Sequence, residues 1–283
     1  MIFILEQQIK QYIPKIDSIT RISQGGQKVV YTAKHVNYGD IVLKFIKEPG
    51  FDPRIAREIE ILKAYSFPHV PKLFDHGSVT HNNDNIVYLI EQYIAGETLH
   101  ARLQQGPLPL NNCLYLLKSL LDTVVELEKV KLVHRDIKPE NIIIGGDEEI
   151  WLLDFGIARD MKQSSITTTG LHFGPHTAGY AAPEQFRNLK KEIDSRTDLF
   201  SIGVVMYEAL IGKHPFIEGA RDYLDILRRT EVYKVPILII PGDSQRQLGG
   251  FIDVLMAKYP SRRPINAQTA LDWFNALLST INP

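Results

Sequence analysis

Cysteine is nearly absent from this sequence. Its 283 residues include a single one, Cys113. That excludes an intrachain disulfide and a structural zinc site built on cysteines, and it suits a reducing compartment. Neither sign of charge is in excess: 32 Lys and Arg stand against 33 Asp and Glu, a formal net charge of −1. A global electrostatic reason to bind nucleic acid or an anionic membrane is therefore missing. Long apolar runs are missing as well, and no stretch of about twenty such residues could span a bilayer. The run Met1-Ile2-Phe3-Ile4-Leu5 turns polar at Glu6 and has no basic segment before it, so it does not read as a signal peptide. Glycine (19) and proline (16) occur at ordinary levels, which excludes a collagen-like or low-complexity chain. The expectation is a soluble cytoplasmic protein. Its 44% hydrophobic residues suffice for a substantial core, in one bilobal domain or two smaller ones.

The first ninety or so residues read as strand-rich. Segments 28–34, 41–46 and 86–94 carry Val, Ile, Tyr and Phe, with turn signals at Asn37-Tyr38-Gly39-Asp40 and Asn82-Asn83-Asp84. One helix interrupts them, with Asp52 as N-cap and Pro53 at the first helical position, followed by Ile55, Ile59 and Leu62 along one face. Beyond Gly96 the pattern turns helical. Leu110–Lys129 has leucines at helical spacing, Thr197–Ile211 is apolar around most of its circumference and so buried, Gly212 stops it, and Asn266–Leu278 is helical again. The break between the two regions falls near Ile94-Ala95-Gly96.

The chemistry is concentrated in His134-Arg135-Asp136-Ile137-Lys138-Pro139-Glu140-Asn141, followed by Asp154-Phe155-Gly156 and Ala182-Pro183-Glu184. Aspartate, asparagine and lysine in one short loop offer a proton acceptor, hard oxygen ligands and a positive charge. In this order and spacing the segments resemble the eukaryotic-type protein kinase family, in its Ser/Thr branch and with a bacterial eukaryote-like flavour. The resemblance runs from about Ile22 to Arg263. Role assignments within that family follow its general signature set.

The resemblance implies an α+β, bilobal protein kinase fold. A small antiparallel β-rich N-lobe with one helix would occupy 1–94, and a larger α-helical C-lobe 95–283, as a single domain 1–283. It also implies ATP and Mg²⁺ as cofactors and a protein substrate with a Ser or Thr acceptor. Asp136 would be the catalytic aspartate, Lys138 would reach the transferring phosphate, and Asn141 and Asp154 would ligate the metal. Lys44, which sits in an otherwise apolar strand, would pair with Glu58 and hold the α- and β-phosphates. The glycine-rich loop departs from the family pattern: it reads Ser23-Gln24-Gly25-Gly26-Gln27-Lys28, so Gly25 keeps its place while Ser23 and Lys28 replace the outer glycines. Val30 and Val42 align with the adenine roof and Ile143 with its floor. Glu91 aligns with the gatekeeper, and the backbones of Gln92 and Ile94 with the adenine edge.

Arg135, Arg159 and Arg57 align with a phosphate pocket, and the hydroxyl-rich Ser164, Ser165, Thr167, Thr168 and Thr169 with an activation-loop phosphosite cluster. Thr177 would contact the catalytic loop. Glu184 and Arg263 would form a buried ion pair, Asp198 would brace the catalytic loop, and Leu62, Leu73, His134 and Phe155 would stack as a spine. Glu140 aligns with a position that meets a basic residue upstream of the target hydroxyl. Self-association for autophosphorylation in trans stays open. So does the alternative reading, an ATP-binding interaction module with a degraded glycine loop.

Overall fold

The computed structural model of the chain describes residues 4–24, 28–47, 53–155, 179–187 and 189–281. Gly25, Asp52, Arg159, Thr177 and the hydroxyl cluster 164–169 lie outside these residues. The described residues fall into two compact units, one up to Ala95 and one from Gly96 onward.

The first unit opens with a short helix α1 (Glu6–Tyr12) and continues through β1 (Ile16–Gln24), β2 (Lys28–His35), β3 (Gly39–Lys47), helix α2 (Pro53–Ala64), β4 (Leu73–His81) and β5 (Asp84–Gln92). The five strands form one antiparallel sheet in the order β1-β2-β3-β5-β4. Asn82 and Asn83 both adopt positive φ, 50° and 65°, between the paired residues His81 and Asp84. This is the left-handed two-residue turn whose twist matches a hairpin, and asparagine tolerates it.

Alternation along the strands gives the sheet two distinct faces. Val29, Tyr31, Ala33, Ile41, Leu43, Phe45, Ile86 and Ile90 share one buried cluster with Ile4, Ile9 and Ile13. The Tyr31 hydroxyl donates to the Ile4 carbonyl at 2.8 Å and ties the N-terminal segment to this face. The sequence pattern gives this region one helix, and α1 is a second. At seven residues it is too short to show a periodic stripe. Its stability comes from packing, since Ile9 is fully buried and Ile13 is 4% exposed against the sheet.

The second unit begins with β6 (Gly96–Thr98), α3 (Leu99–Leu103) and α4 (Leu110–Lys129), followed by β7 (Ile142–Gly145) and β8 (Ile150–Leu152). After them come α5 (Pro183–Phe186), α6 (Ser195–Ile211), α7 (Tyr223–Val232), α8 (Gln247–Leu255) and α9 (Ala267–Leu277). Helix α4 buries Cys113, Leu116, Leu117, Leu120, Leu121, Val124 and Leu127, a single stripe at i, i+3, i+4, i+7 spacing. Helix α6 is buried on nearly every side and packs against α4, α8 and α9. The Asp194 side chain caps its start by accepting from Arg196 N, and Gly212 at φ 73° ends it in the left-handed conformation that glycine allows.

A small antiparallel sheet, β6-β7-β8, lies within this helical unit. Gly96 opens it, and a Cβ there would fall on the Ile144 carbonyl oxygen, so only glycine permits the approach.

Candidate active site

The loop from His134 to Asn141 is held by the buried helix beneath it. Asp198, in the first turn of α6 and fully buried, accepts from His134 N and from Arg135 N, each at 2.8 Å. Burial pushes this carboxyl up to about 7, against the pull of the two N–H groups and the Arg135 charge. Arg135 adopts φ 67°, a costly left-handed conformation for a side chain of its size. Three bonds fix it in place: its N–H to Asp198, the His134 N–H to the same carboxylate, and its carbonyl, which accepts from Gln185 Nε2 at 2.9 Å.

His134 completes the brace. Asp136 N donates to its Nδ1 at 3.3 Å, and its Nε2 donates to the Leu153 carbonyl at 3.1 Å. The ring therefore carries its proton on Nε2 and links the loop to the segment leading into Asp154. Leu153 N also donates to the Asn141 carbonyl at 2.7 Å. The His134 and Phe155 rings lie 4.7 Å apart, centroid to centroid.

Within this frame the structure gathers Asp136, Lys138 and Asn141. Lys138 Nζ is 3.4 Å from Asp136 Oδ1, and both side chains are largely buried. Asn141 Nδ2 donates to the Asp136 carbonyl at 2.8 Å, which fixes the amide and turns its Oδ1 away from that carbonyl. Asp154 follows at φ 59°, again left-handed, just beyond β8. Among the described residues no group of three or more His, Cys, Asp or Glu side chains forms a metal site. Asn141 and Asp154 instead offer two hard oxygens, which suits Mg²⁺, an ion that takes one or two protein ligands and completes its shell with phosphate and water. The donor set fits that ion.

The brace found from the sequence extends further. Arg263 and Glu184 form a bidentate pair at 2.6 and 3.0 Å, with side chains 0% and 1% exposed. Thr197 Oγ1 donates to Glu184 at 2.9 Å, and the guanidinium also reaches the Ala257 and Arg196 carbonyls and lies over the Phe200 ring.

In the first unit, the strand register puts Val30, Val42, Lys44 and Glu91 on one face of the sheet, opposite the face that α1 covers. Val30 and Ile94 are buried; Val42, Gln92 and, in the other unit, Ile143 are half-buried. The Gln92 N–H donates to the Lys72 carbonyl at 2.9 Å. Ser23 is exposed at the end of β1, paired with Val30 in the backbone register. Glu58 is half-buried on α2, and Arg57 is exposed beside it.

Two carboxylate pairings escaped the sequence reading. One is Glu91 as a partner of Lys44: the two side chains form a largely buried ion pair. Lys44 faces Leu89 across the β3–β5 ladder and Glu91 lies two residues further along, so the pair is the diagonal cross-strand neighbour that the register dictates. The other is Glu208 in the last turn of α6, which accepts from the Tyr180 hydroxyl. Burial pushes the Glu208 carboxyl up, and the nearby Glu140 adds to this by charge repulsion. Glu140 has a buried Oε2 with no hydrogen-bond partner. A glutamate in an apolar helix was a signal in itself, because such a group costs free energy without a purpose-built partner.

A family model described as "Protein kinase domain" matches residues 16–274. The chain belongs to this family. Among curated proteins it is similar to serine/threonine-protein kinase pkn2 of Myxococcus xanthus, at 30% identity over 275 residues, covering 92% of this chain and 32% of that protein. A probable serine/threonine-protein kinase of Clostridium acetobutylicum is 30% identical over 258 residues, or 89% of this chain and 38% of the other. Serine/threonine-protein kinase PknL of Mycobacterium tuberculosis is 32% identical over 203 residues, 69% of this chain and 49% of its own. The chain thus spans about a third to a half of the length of these relatives. Among the described residues no helix is long and apolar enough to cross a membrane.

Proposed function

We propose that this chain is a serine/threonine protein kinase that moves the γ-phosphoryl group of ATP to a Ser or Thr hydroxyl of a protein. The observation carrying this reading is the braced pair of Asp136 and Lys138, 3.4 Å apart on a loop whose strained backbone is pinned by Asp198. Asp136 orients the acceptor hydroxyl and takes its proton as the oxygen–phosphorus bond forms and the bond to the departing ADP oxygen breaks. Lys138 offsets the charge on the moving phosphoryl oxygens. Asn141 and Asp154 hold Mg²⁺, which when bound neutralises phosphate charge. Lys44, with Glu58, holds the α- and β-phosphates; Val30, Val42 and Ile143 enclose the base, and Gln92 and Ile94 bond its edge. Ser23 and Gly25 belong to the phosphate-covering loop. The two units act as the lobes of one kinase domain working in the cytoplasm.

Glu140 and Glu208 supply two neighbouring carboxylates, and a guanidinium from the substrate would satisfy both. Autophosphorylation falls in the Thr167-Thr168-Thr169 cluster, at Thr169, and self-association brings one copy's loop to another. Purified chain incubated with MgATP labelled in the γ-phosphate, with a general protein acceptor added, tests the reading. Phosphoserine or phosphothreonine in either protein is the expected result. A folded chain that binds nucleotide yet transfers no phosphate would favour the interaction-module reading instead.

A further inference from the structure

A lysine ammonium buried among apolar side chains requires a counter-charge. Lys44 has that need: its side chain is 7% exposed, and its same-face neighbours along β3 are Val42 and Ile46. The structure supplies a carboxylate from the sheet itself. Glu91, 17% exposed on β5, directs Oε2 onto Lys44 Nζ. This partner sits on β5, whose pairing with β3 keeps it within reach of Lys44.

We infer that Glu91 is a positioning residue that sets nucleotide affinity: it holds the Lys44 ammonium in the nucleotide-free chain, and incoming phosphates must take that ammonium from it. The inference rests on the reading of Lys44 as the phosphate-binding lysine. Its physical content is competition between two anions for one cation. Before binding, the Lys44–Glu91 pair is satisfied. After binding, the phosphates share the ammonium with Glu91, and their charge lies close to a carboxylate whose strand stays in the ladder. Glu91 thus stabilises the empty state and destabilises the loaded one. Removing its charge while keeping its shape reverses both effects.

The test uses the full chain and MgADP as the probe, with titration calorimetry and thermal melting. Glu91→Gln is expected to lower the melting temperature of the nucleotide-free chain. It should also tighten MgADP binding about three- to tenfold, since each 1.4 kcal/mol is tenfold, and enlarge the melting shift that MgADP produces. In turnover the gain should appear in the KM for ATP more than in kcat. In a Lys44→Met background the same substitution should gain little, because the contested cation is gone. Glu91→Met serves as the second neutral variant should Glu91→Gln fold poorly. A counter-ion of purely structural importance would lower the melting temperature and leave MgADP affinity unchanged or weaker. That result in either folded variant overturns the inference alone. No MgADP binding by the unmodified chain overturns the nucleotide reading of Lys44, and this inference with it.

Discussion

Asp198→Asn tests how the catalytic loop is held. In the native chain one carboxylate accepts two backbone N–H groups at 2.8 Å, and one of these belongs to Arg135, whose φ of 67° is unfavourable without support. Asparagine has nearly the same volume, but one of its two terminal atoms is a donor. One N–H is then left facing another donor in a fully buried site. An unsatisfied buried group of this kind costs about 1–3 kcal/mol. Arg135 is the residue with strain to release, and Asp136 is next in the chain, so the loss should also reach the chemistry. A shift of about 1 Å in a catalytic group lowers the rate by about 10²-fold.

Urea unfolding should therefore show a loss of about 1–3 kcal/mol at pH 8, and phosphotransfer should fall in kcat with a smaller change in substrate KM. The sign of the pH dependence follows from burial. The folded-state carboxyl lies at about 7, above its ordinary 3.8. Folding therefore penalises the carboxylate, and the associated stability is complete below the unfolded value and lost as pH rises through about 7. The variant has no such titration, so the stability gap between the two proteins should narrow by about 2–3 kcal/mol between pH 5 and 8. A gap independent of pH would refute the burial penalty on this carboxylate, and a variant with native stability and native kinetics would refute the argument that it pins the loop.

Three further outcomes are expected. Glu184→Gln leaves the Arg263 guanidinium buried without its counter-charge and should cost about 3–5 kcal/mol in urea unfolding; a loss below about 1 kcal/mol would mean that the Phe200 ring and the two carbonyls suffice. Asp136→Asn should keep the native melting temperature and lower phosphotransfer by about 10²–10⁴-fold, and near-native autophosphorylation would remove Asp136 from its role. On a peptide array, the native chain should favour an arginine before the target hydroxyl, and a Glu140→Gln, Glu208→Gln double variant should lose that preference; no basic preference in the native chain would show that the two carboxylates serve the fold alone.

How far the sequence reaches depends on the kind of signal each part carries. Helices α4, α6 and α9 were legible because each is long enough to repeat its apolar spacing and has a recognisable end: Gly212 after α6, and Asn266, whose side chain accepts from Thr269 N, before α9. The β2–β3 and β4–β5 turns were legible from glycine and asparagine. Helix α1 and the outer strands β1 and β4 were not. β1 exposes most of its side chains, and β4 is half-exposed with glycine and serine in its middle, so neither shows an apolar alternation. The loop from His134 to Asn141 was singled out by its short local spacing, and the structure brings Asp136, Lys138 and Asn141 together within it. Glu91 was assigned a place but not a partner. Its meeting with Lys44 depends on the β3–β5 register, which no short motif encodes.

The same contrast explains why stability and catalysis are hard to separate in the second unit. Helix α6 reads as apolar, yet several of its polar residues bond segments outside it. Thr197 reaches Glu184, Asp198 reaches the catalytic loop, Ser201 donates to the Tyr180 carbonyl at 2.9 Å, and Glu208 accepts from the Tyr180 hydroxyl. Asp198 and Glu208 stand ten residues apart, about 15 Å along the axis at 1.5 Å per residue. One buried helix therefore fixes the catalytic loop at one end and the acidic pair of Glu140 and Glu208 at the other. Close packing around Leu199, Phe200, Val204 and Val205, all fully buried, leaves it no freedom to shift in response to either. A cavity cut into that packing costs about 2–5 kcal/mol and loosens both ends together, because the residues that touch the chemistry and those that fill the core are carried on the same rigid rod.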